Sequence, residues 1–264
     1  MGPRDDIMLA APKGTFAGKT WKARLYDVYV SSGQAAFRPP TAAAQSPAAV
    51  FAPFAAQARH FIATYVPPDR DARIADLGCG DGILLHFLLE AGYRHVSGID
   101  VSNEQIARAH GLGLFEARRD DIDTFLASAD DRSLDVVLLI DVLEHLTREE
   151  LFDVLDGVAR VLSPGGVCIA HVPNAHGIHG MAVRYGDLTH EQAFTSASMS
   201  QAFVAVGFRA VSAFEERPVV HGLRSLVRRV LWDAGTLPHR VLLAAEVGTW
   251  GSILSANLVV RAVR

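Results

Sequence analysis

The chain has 264 residues, 50% of them hydrophobic and 20% charged, with a net charge of -4. That length and apolar content allow one large α/β domain or two small ones with a well-buried core, and the negative balance speaks against a general nucleic-acid binder, which needs a clear positive excess. The two cysteines, Cys79 and Cys168, fall in segments read below as sheet or sheet-edge loop, so a disulfide framework is not expected and a reducing cytoplasm suits them.

In chain order, the opening Met1-Gly2-Pro3-Arg4-Asp5-Asp6 has no basic stretch leading into a secretory apolar run, and it lacks the hydroxyl residue of a myristoylation signal. No uncharged apolar run approaches the roughly 20 residues that span a bilayer, so integral membrane association is not expected. Residues 1–46 mix glycine, proline and alanine with short polar pieces and read as an arm or lid, ending in a connector from Pro39-Pro40 to Ser46-Pro47. The domain proper is expected over 47–264. From Pro47 to Val66, Phe51, Phe54, Ala58, Phe61, Ile62 and Tyr65 recur at helical spacing, with Pro53 starting or kinking the helix and Pro67-Pro68 ending it.

Strands are predicted at Arg73–Leu77, His95–Asp100, Leu114–Ala117, Leu134–Ile140 and Val167–Val172, with helical stretches between them. The last two are almost continuously apolar, as in parallel strands covered on both faces, so the domain reads as a doubly wound, mostly parallel sheet. Ser163-Pro164-Gly165-Gly166 reads as a tight turn. A helix near 195–206, a strand near 209–215, a helical insert at about 218–250 and a last strand from Ile253 to Val263 bring the sheet to seven strands, with the final two pairing antiparallel at one edge. Within the insert, Leu223, Leu226, Val227, Val230 and Leu231 share a face with arginines largely opposite. Its simplest reading is a core-facing helix with a solvated basic side; an anionic acceptor, a membrane surface or a second copy in a homodimer are the others.

Chemistry concentrates where a strand ends in Asp76, glycines follow at Gly78, Gly80 and Gly82, and an acid, Asp100, ends the next strand. Glycines let backbone approach a ligand, a helix opening at Asp81 would offer unpaired N–H groups to an anion, and Asp100 can accept from two ribose hydroxyls. A dinucleotide fingerprint would place its third glycine at position 83, where Ile83 stands, and would not have an acid ahead of the first glycine. Asp76 instead suits the α-amino group of a methionine moiety.

On these residues the chain resembles the class I S-adenosylmethionine-dependent methyltransferases over roughly residues 70 to 215. Asp76 to Gly82, including Cys79, looks like the family's first motif, and Gly98-Ile99-Asp100-Val101-Ser102 looks like its second. Asp120-Asp121-Ile122 resembles the adenine-contacting segment, with Asp121 placed at the adenine amino group. Ser133 to His145, through Ile140 and Asp141, is similar to the fourth-strand motif, whose end passes beneath the methionine part of the cofactor. The resemblance implies a Rossmann-like methyltransferase fold, S-adenosylmethionine as cofactor and S-adenosylhomocysteine as product. Val172-Pro173-Asn174-Ala175 and Tyr185 to Glu191 resemble enzymes of bacterial polysaccharide and small-molecule pathways, which implies O-methylation of a hydroxyl on a saccharide or other small acceptor. The signature of adenine amino-methyltransferases is absent, and Asp141-Val142-Leu143-Glu144 stands in its place.

An alcohol acceptor must lose a proton, and His190 is the candidate base, with Asp187 or Glu191 to orient it. The bland alternative is that Asp187 or Thr189 caps a helix starting near Glu191. Glu144 and His145 either touch the acceptor or begin the next helix. His171, His176, His179 and His190 with Asp187 lack the spacing of a known metal motif, so no metal is expected. Cys79 should contribute only backbone and small size. Trp21, Tyr26 and Tyr29 either form an aromatic lid or pack as a loop. A cofactor-binding subunit without turnover, and a methyltransferase acting on a protein side chain, are the alternative functions.

Overall fold

The computed structural model describes residue 18 and residues 20–27, 46–248 and 250–264. Of the expected arm this includes a short helix, α1 (Trp21–Asp27); Tyr29 and the Pro39-Pro40 connector lie outside the described residues. The single helix predicted from Pro47 is two, α2 (Pro47–Phe51) and α3 (Ala55–Tyr65), because Pro53 falls in a 3-10 turn between them and has no N–H for a helical ladder. Ser46 caps α2 by accepting the Ala49 N–H, with Pro47 in the first turn, where its missing donor costs nothing.

Strands and helices then alternate: β1 (Arg73–Leu77), α4 (Ile83–Glu90), β2 (His95–Asp100), α5 (Asn103–Gly111), β3 (Ala117–Arg119), α6 (Ile122–Ser128), β4 (Leu134–Ile140), α7 (Arg148–Val161) and β5 (Leu162–Pro173). The tail adds α8 (Gly180–Arg184), α9 (Ser196–Ala205), β6 (Ala210–Glu215), α10 (Leu223–Val247) and β7 (Asn257–Val263). The seven strands lie in the order β3-β2-β1-β4-β5-β7-β6. β7 runs antiparallel to both β5 and β6, so the reversed strand stands second from that margin of an otherwise parallel sheet. Chain direction along the sheet reverses between β1 and β4, the switch point at which such folds open a crevice beyond the strand carboxyl ends.

β4 shows why its sequence is continuously apolar. Val136 and Leu138 point into a core layer with Phe51, Ile62, Leu85 and Leu88, while Val137 and Leu139 point into the opposite layer with Phe125, Leu155, Val158 and Phe203. Each such side chain is worth about 1.5–3 kcal/mol on burial. α7 presents Leu151, Val154, Leu155 and Val158 to the second layer and opens with a capping box in which Thr147 and Glu150 satisfy each other's N–H groups.

Three local differences from the sequence reading have physical causes. The third strand sits at Ala117–Arg119, not Leu114–Ala117, because it is a polar strand at the sheet margin and Leu114 is instead buried where the chain leaves α5. Ser163 to Gly166 do not interrupt β5; they form a bulge, with register slipping between Leu134↔Leu162 and Val136↔Val167 and Gly165 at φ 82°. The third is α10, whose amphipathicity is reversed. It lies on the body by the side that buries Ser225 and Thr236 and pairs Arg240 with Glu215 at 2.6 Å, with Trp232 and Leu243 half-buried beside them, while the other leucines and the valines face outward. No helix among the described residues is long and apolar enough to cross a membrane.

Asn174, 1% exposed, ties the end of β5 to the lead-in of β7: its Nδ2 donates to the carbonyls of Ile253 at 2.9 Å and Ser255 at 2.8 Å, and its Oδ1 accepts the His176 N–H. Asn174→Ala strands those buried carbonyls and should lower the unfolding free energy by roughly 2 kcal/mol or more in urea titration. A midpoint and slope equal to wild type would show that this tie carries no stability.

Candidate active site

β1 delivers Asp76 to the crevice 2% exposed, with Oδ1 lacking any hydrogen-bond partner among the described residues. Burial, helped by the nearby charge of Asp100, pushes its pKa up to about 7. The turn that follows requires glycine: Gly78 has φ 87° and a Cβ there would sit 2.5 Å from Val142 Cγ2. The N–H groups of Gly78 and Cys79 both donate to the Ile99 carbonyl at 2.8 Å, and Gly80 N–H donates to Asp100 Oδ2 at 3.0 Å. The other oxygen of Asp100 accepts the Ser102 N–H at 2.8 Å. Burial raises the Asp100 pKa while these two N–H groups act against the rise.

α4 begins at Ile83, two residues later than the sequence suggests, after Gly82 in the left-handed region, and the amides of Gly78, Cys79 and Gly80 ahead of it are spent inside the protein. What the turn presents is a Cβ-free surface flanked by two carboxylates. Cys79 is buried and burial pushes its thiol far up, so it supplies shape only. The remaining cofactor candidates gather beside Asp100: Val101 follows it, 42% exposed, and Asp120 N–H donates to the Asp100 carbonyl at 3.2 Å. Asp121, exposed, caps α6 by accepting the Asp123 N–H at 3.0 Å, and Ile122 opens that helix.

β4 ends in Ile140 and Asp141, the latter at φ 55°, a left-handed conformation that is costly for a residue with a side chain and recurs at functional sites. The Asp141 carboxylate accepts from His171 Nδ1 at 2.5 Å, and His171 Nε2 meets Glu216 Oε2 at 3.1 Å, with Gln57 donating to the other Glu216 oxygen. Burial opposes charge on His171, but the two carboxylates outweigh it and raise its pKa well above the usual value. The cationic ring thus clamps β4, β5 and the segment after β6. It holds Asp141 low, against the effect of burial.

Beyond Asp141 the chain makes a buried 3-10 turn, Leu143–His145, so Glu144 and His145 do not begin α7. Glu144 is 1% exposed with Oε2 unpartnered; burial and then Asp141 raise its pKa well above normal. Its carbonyl accepts the N–H groups of Glu191 and Gln192, which brings the loop after α8 against the turn. In that loop Asp187 Oδ1 accepts both the Thr189 N–H at 2.7 Å and the Thr189 hydroxyl at 2.6 Å. With its one proton so committed, Thr189 Oγ1 must accept from His145 Nδ1 at 2.8 Å. That leaves His145 Nε2 as a lone pair, and burial, seconded by His190, lowers the His145 pKa to about 4.

His190 Nδ1 donates to the Val183 carbonyl at 3.2 Å, which leaves Nε2 as its open nitrogen, and its ring lies edge-on to His145 with centroids 4.8 Å apart. The sequence reading expects Asp187 or Glu191 to orient His190; in the structure Asp187 instead orients His145 through Thr189, and the His190 ring is held by the Val183 carbonyl. Nor does a helix start near Glu191; α9 begins at Ser196 with Thr195 as its cap. Among the described residues, ligand atoms of Glu144, His145 and His190 lie within 4.8 Å of one another, a set different from the histidines grouped by sequence, and one able to hold a divalent cation. Tyr26 of α1 closes the cleft. Its ring centroid is 6.3 Å from that of His145, and its phenol is pushed up by burial and then by Asp187, Asp100 and Glu144, while Lys22 anchors α1 to Glu150 at 3.5 Å.

The cleft fits the cofactor expected from the motifs: a buried acid with an unpartnered oxygen for an ammonium, a glycine surface that any Cβ would obstruct, and a carboxylate with lone pairs to spare beside the exposed edge of β3. A family model described as a methyltransferase domain matches residues 50–213. Curated relatives include a ubiquinone biosynthesis O-methyltransferase of Maricaulis maris, 32% identical over 119 residues that make up 44% of this chain and 46% of that protein. Another, of the same name from Hahella chejuensis, is 40% identical over 98 residues, 35% of this chain and 40% of that one. The chain thus matches less than half the length of these relatives. Among solved structures, an S-adenosylmethionine-dependent methyltransferase from Archaeoglobus fulgidus superimposes with a TM-score of 0.60 at 22% identity, covering 83% of this chain and 95% of that one. The chain belongs to the class I S-adenosylmethionine-dependent methyltransferases.

Proposed function

We propose that the protein transfers a methyl group from S-adenosylmethionine to a hydroxyl oxygen of a small-molecule acceptor, a saccharide or a phenol, with His190 taking the proton. The observation that carries this is the Asp187–Thr189–His145 chain beside His190, a pair of oriented imidazoles at the carboxyl edge of the sheet, next to the cofactor acids. The names of the curated relatives, O-methyltransferases, support a hydroxyl acceptor.

S-adenosylmethionine, when bound, supplies a methyl group on an already activated sulfonium. The protein's share is alignment, which can be worth about 7–11 kcal/mol, together with removal of the acceptor proton. Asp76 in its ionised form receives the ammonium of the methionine tail. Asp100 retains acceptor sites beyond those used by Gly80 and Ser102, enough for two ribose hydroxyls. Tyr26 covers the cleft and restricts water. His190 Nε2 accepts the proton; His145, held neutral at about 4, is too weak a base for that step and packs against the His190 ring. A second reading follows from the unpartnered Glu144 Oε2: Glu144, His145 and His190 would hold a divalent cation that lowers the pKa of the acceptor hydroxyl.

His190→Ala should reduce turnover by roughly 10²–10⁴-fold on an acceptor found by screening sugars and phenols for methyl uptake, with the affinity for S-adenosylhomocysteine unchanged. Undiminished turnover would remove His190 as base. Dialysis against a chelator discriminates the two readings: full activity in metal-free buffer keeps the proton-transfer chemistry on His190 alone, whereas loss restored by added magnesium or zinc assigns the cluster to a cation.

Asp76 gives a pH dependence. Its folded pKa of about 7 lies above the unfolded value, so between about pH 4 and 7 the unfolded chain has released a proton that the folded chain retains. In the ligand-free protein this contribution to stability is therefore greatest at the acid end and is lost as the pH rises to 7. Asp76→Asn should flatten that loss in thermal denaturation. Cofactor affinity should move the opposite way, tightening as the pH rises through 7 and the carboxyl ionises. An affinity independent of pH across about pH 6–8 in calorimetry would contradict this assignment of Asp76.

A further inference from the structure

α10 carries a surface that neither the cofactor cleft nor the core explains. Leu223, Leu226, Val230, Leu231, Leu237 and Leu242 are between 45% and 78% exposed among the described residues, and they fall on one side of the helix. The opposite side is the one docked on the body. Ser225 and Thr236 are buried there, Arg240 pairs with Glu215 and donates to the Ser252 carbonyl at 2.8 Å, and Arg229 pairs with Asp233 at 3.0 Å. A helix that docks by Ser225, Thr236 and Arg240 beside the half-buried Trp232 and Leu243, while most of its leucines and valines face solvent, departs from the ordinary arrangement of a surface helix, and contiguous exposed apolar area of this kind marks an interaction site. α10 also lies beyond residues 50–213, the part matched to the methyltransferase domain, on the connection between β6 and β7.

We propose that this face of α10 docks on an anionic membrane surface and lies in the plane of the headgroups. Charge and shape both favour that occupant. Arg224 and Arg228, both exposed, run along one border of the apolar stripe, where their stems can lie on the acyl boundary and their guanidinium groups reach lipid phosphates. Along this border the exposed Arg224 and Arg228 stand against Glu246, while Arg229 and Arg240 are spent on Asp233 and Glu215, and the chain as a whole has a net charge of -4, so an anionic surface favours this face over the remainder and orients the protein.

A second copy of the chain, the other candidate, fits this face less well. With side chains placed at helical period, the stripe covers roughly 160° of arc, wider than the narrow seam through which two helices pair in a coiled coil. A fluid headgroup layer moulds itself to a convex helix ridge of this breadth. Trp250, 65% exposed just past the helix, is of the residue type that settles at membrane interfaces.

Flotation of the full chain with vesicles tests this. Wild type should float with phosphatidylcholine vesicles containing phosphatidylglycerol and remain at the bottom with phosphatidylcholine alone. Val230→Glu combined with Leu237→Glu should lower the bound fraction at least tenfold, and Arg224→Ala with Arg228→Ala should weaken binding and its salt sensitivity. Retained helical circular dichroism and retained affinity for S-adenosylhomocysteine show that the variants are folded. The proposal is overturned if wild type ignores both vesicle types, binds both equally, or binds as well after the stripe is charged. It is also overturned if sedimentation velocity shows a dimer that the Val230→Glu, Leu237→Glu variant dissolves.

Discussion

Asp100 is fastened to the glycine turn by two backbone hydrogen bonds, Gly80 N–H to one oxygen and Ser102 N–H to the other. That pair of contacts spans the ends of β1 and β2 and sets the width of the cofactor cleft. Without it the turn at Gly78, Cys79 and Gly80 would be fixed only by the Ile99 carbonyl, and Asp76, whose burial raises its pKa, would lose the held neighbour whose charge adds to that rise. The arrangement is preorganised for a cation and a diol. The protein bears the cost of crowding two acids before the ligand arrives, and the ligand's own charge relieves it.

The other half of the cleft is organised by a different device, cationic His171 between Asp141 and Glu216. It fixes the left-handed turn at Asp141 and thereby aims the following residues, Glu144 and His145, at the loop carrying Asp187, Thr189 and His190. Two imidazoles end with both Nδ1 positions committed to protein acceptors and both Nε2 positions open beside an unpartnered carboxylate. An imidazole held this way serves as a base or as a cation ligand, and the choice depends on what occupies the space between them.

The cofactor half was legible in the sequence because it is local: Asp76 to Gly82 form one continuous turn, and Asp100 follows at the end of the next strand. β1 and β4 could be placed to the residue because each carries a short apolar run bounded by breakers, and β2 because Val96 and Ile99 stand between polar ends on either side of Gly98, whereas β3, with Arg118 and Arg119 exposed, carries too little apolar pattern to be located. The acceptor half was legible only as a set of polar residues. His145 and Thr189 are 44 positions apart, and Glu216 meets His171 across 45, so no spacing rule could join them. Asp187 was expected at His190 because they are neighbours in sequence; Thr189, lying between them, redirects it to His145. The orientation of α10 was misread for a related reason. Periodicity shows that a helix has two faces, and Glu215, a strand residue that receives Arg240, decides which of them turns inward.

The most direct test is calorimetric titration of the intact protein with S-adenosylhomocysteine, beside the Asp100→Ala variant. One site per chain, weakened roughly tenfold to hundredfold by the substitution, is the predicted result, since hydrogen bonds to an ionised group are worth about 1.5–3 kcal/mol and each decade of affinity about 1.4. No heat of binding to the folded protein, or equal affinity in the variant, would contradict the placement of the cofactor between Asp76 and Asp100.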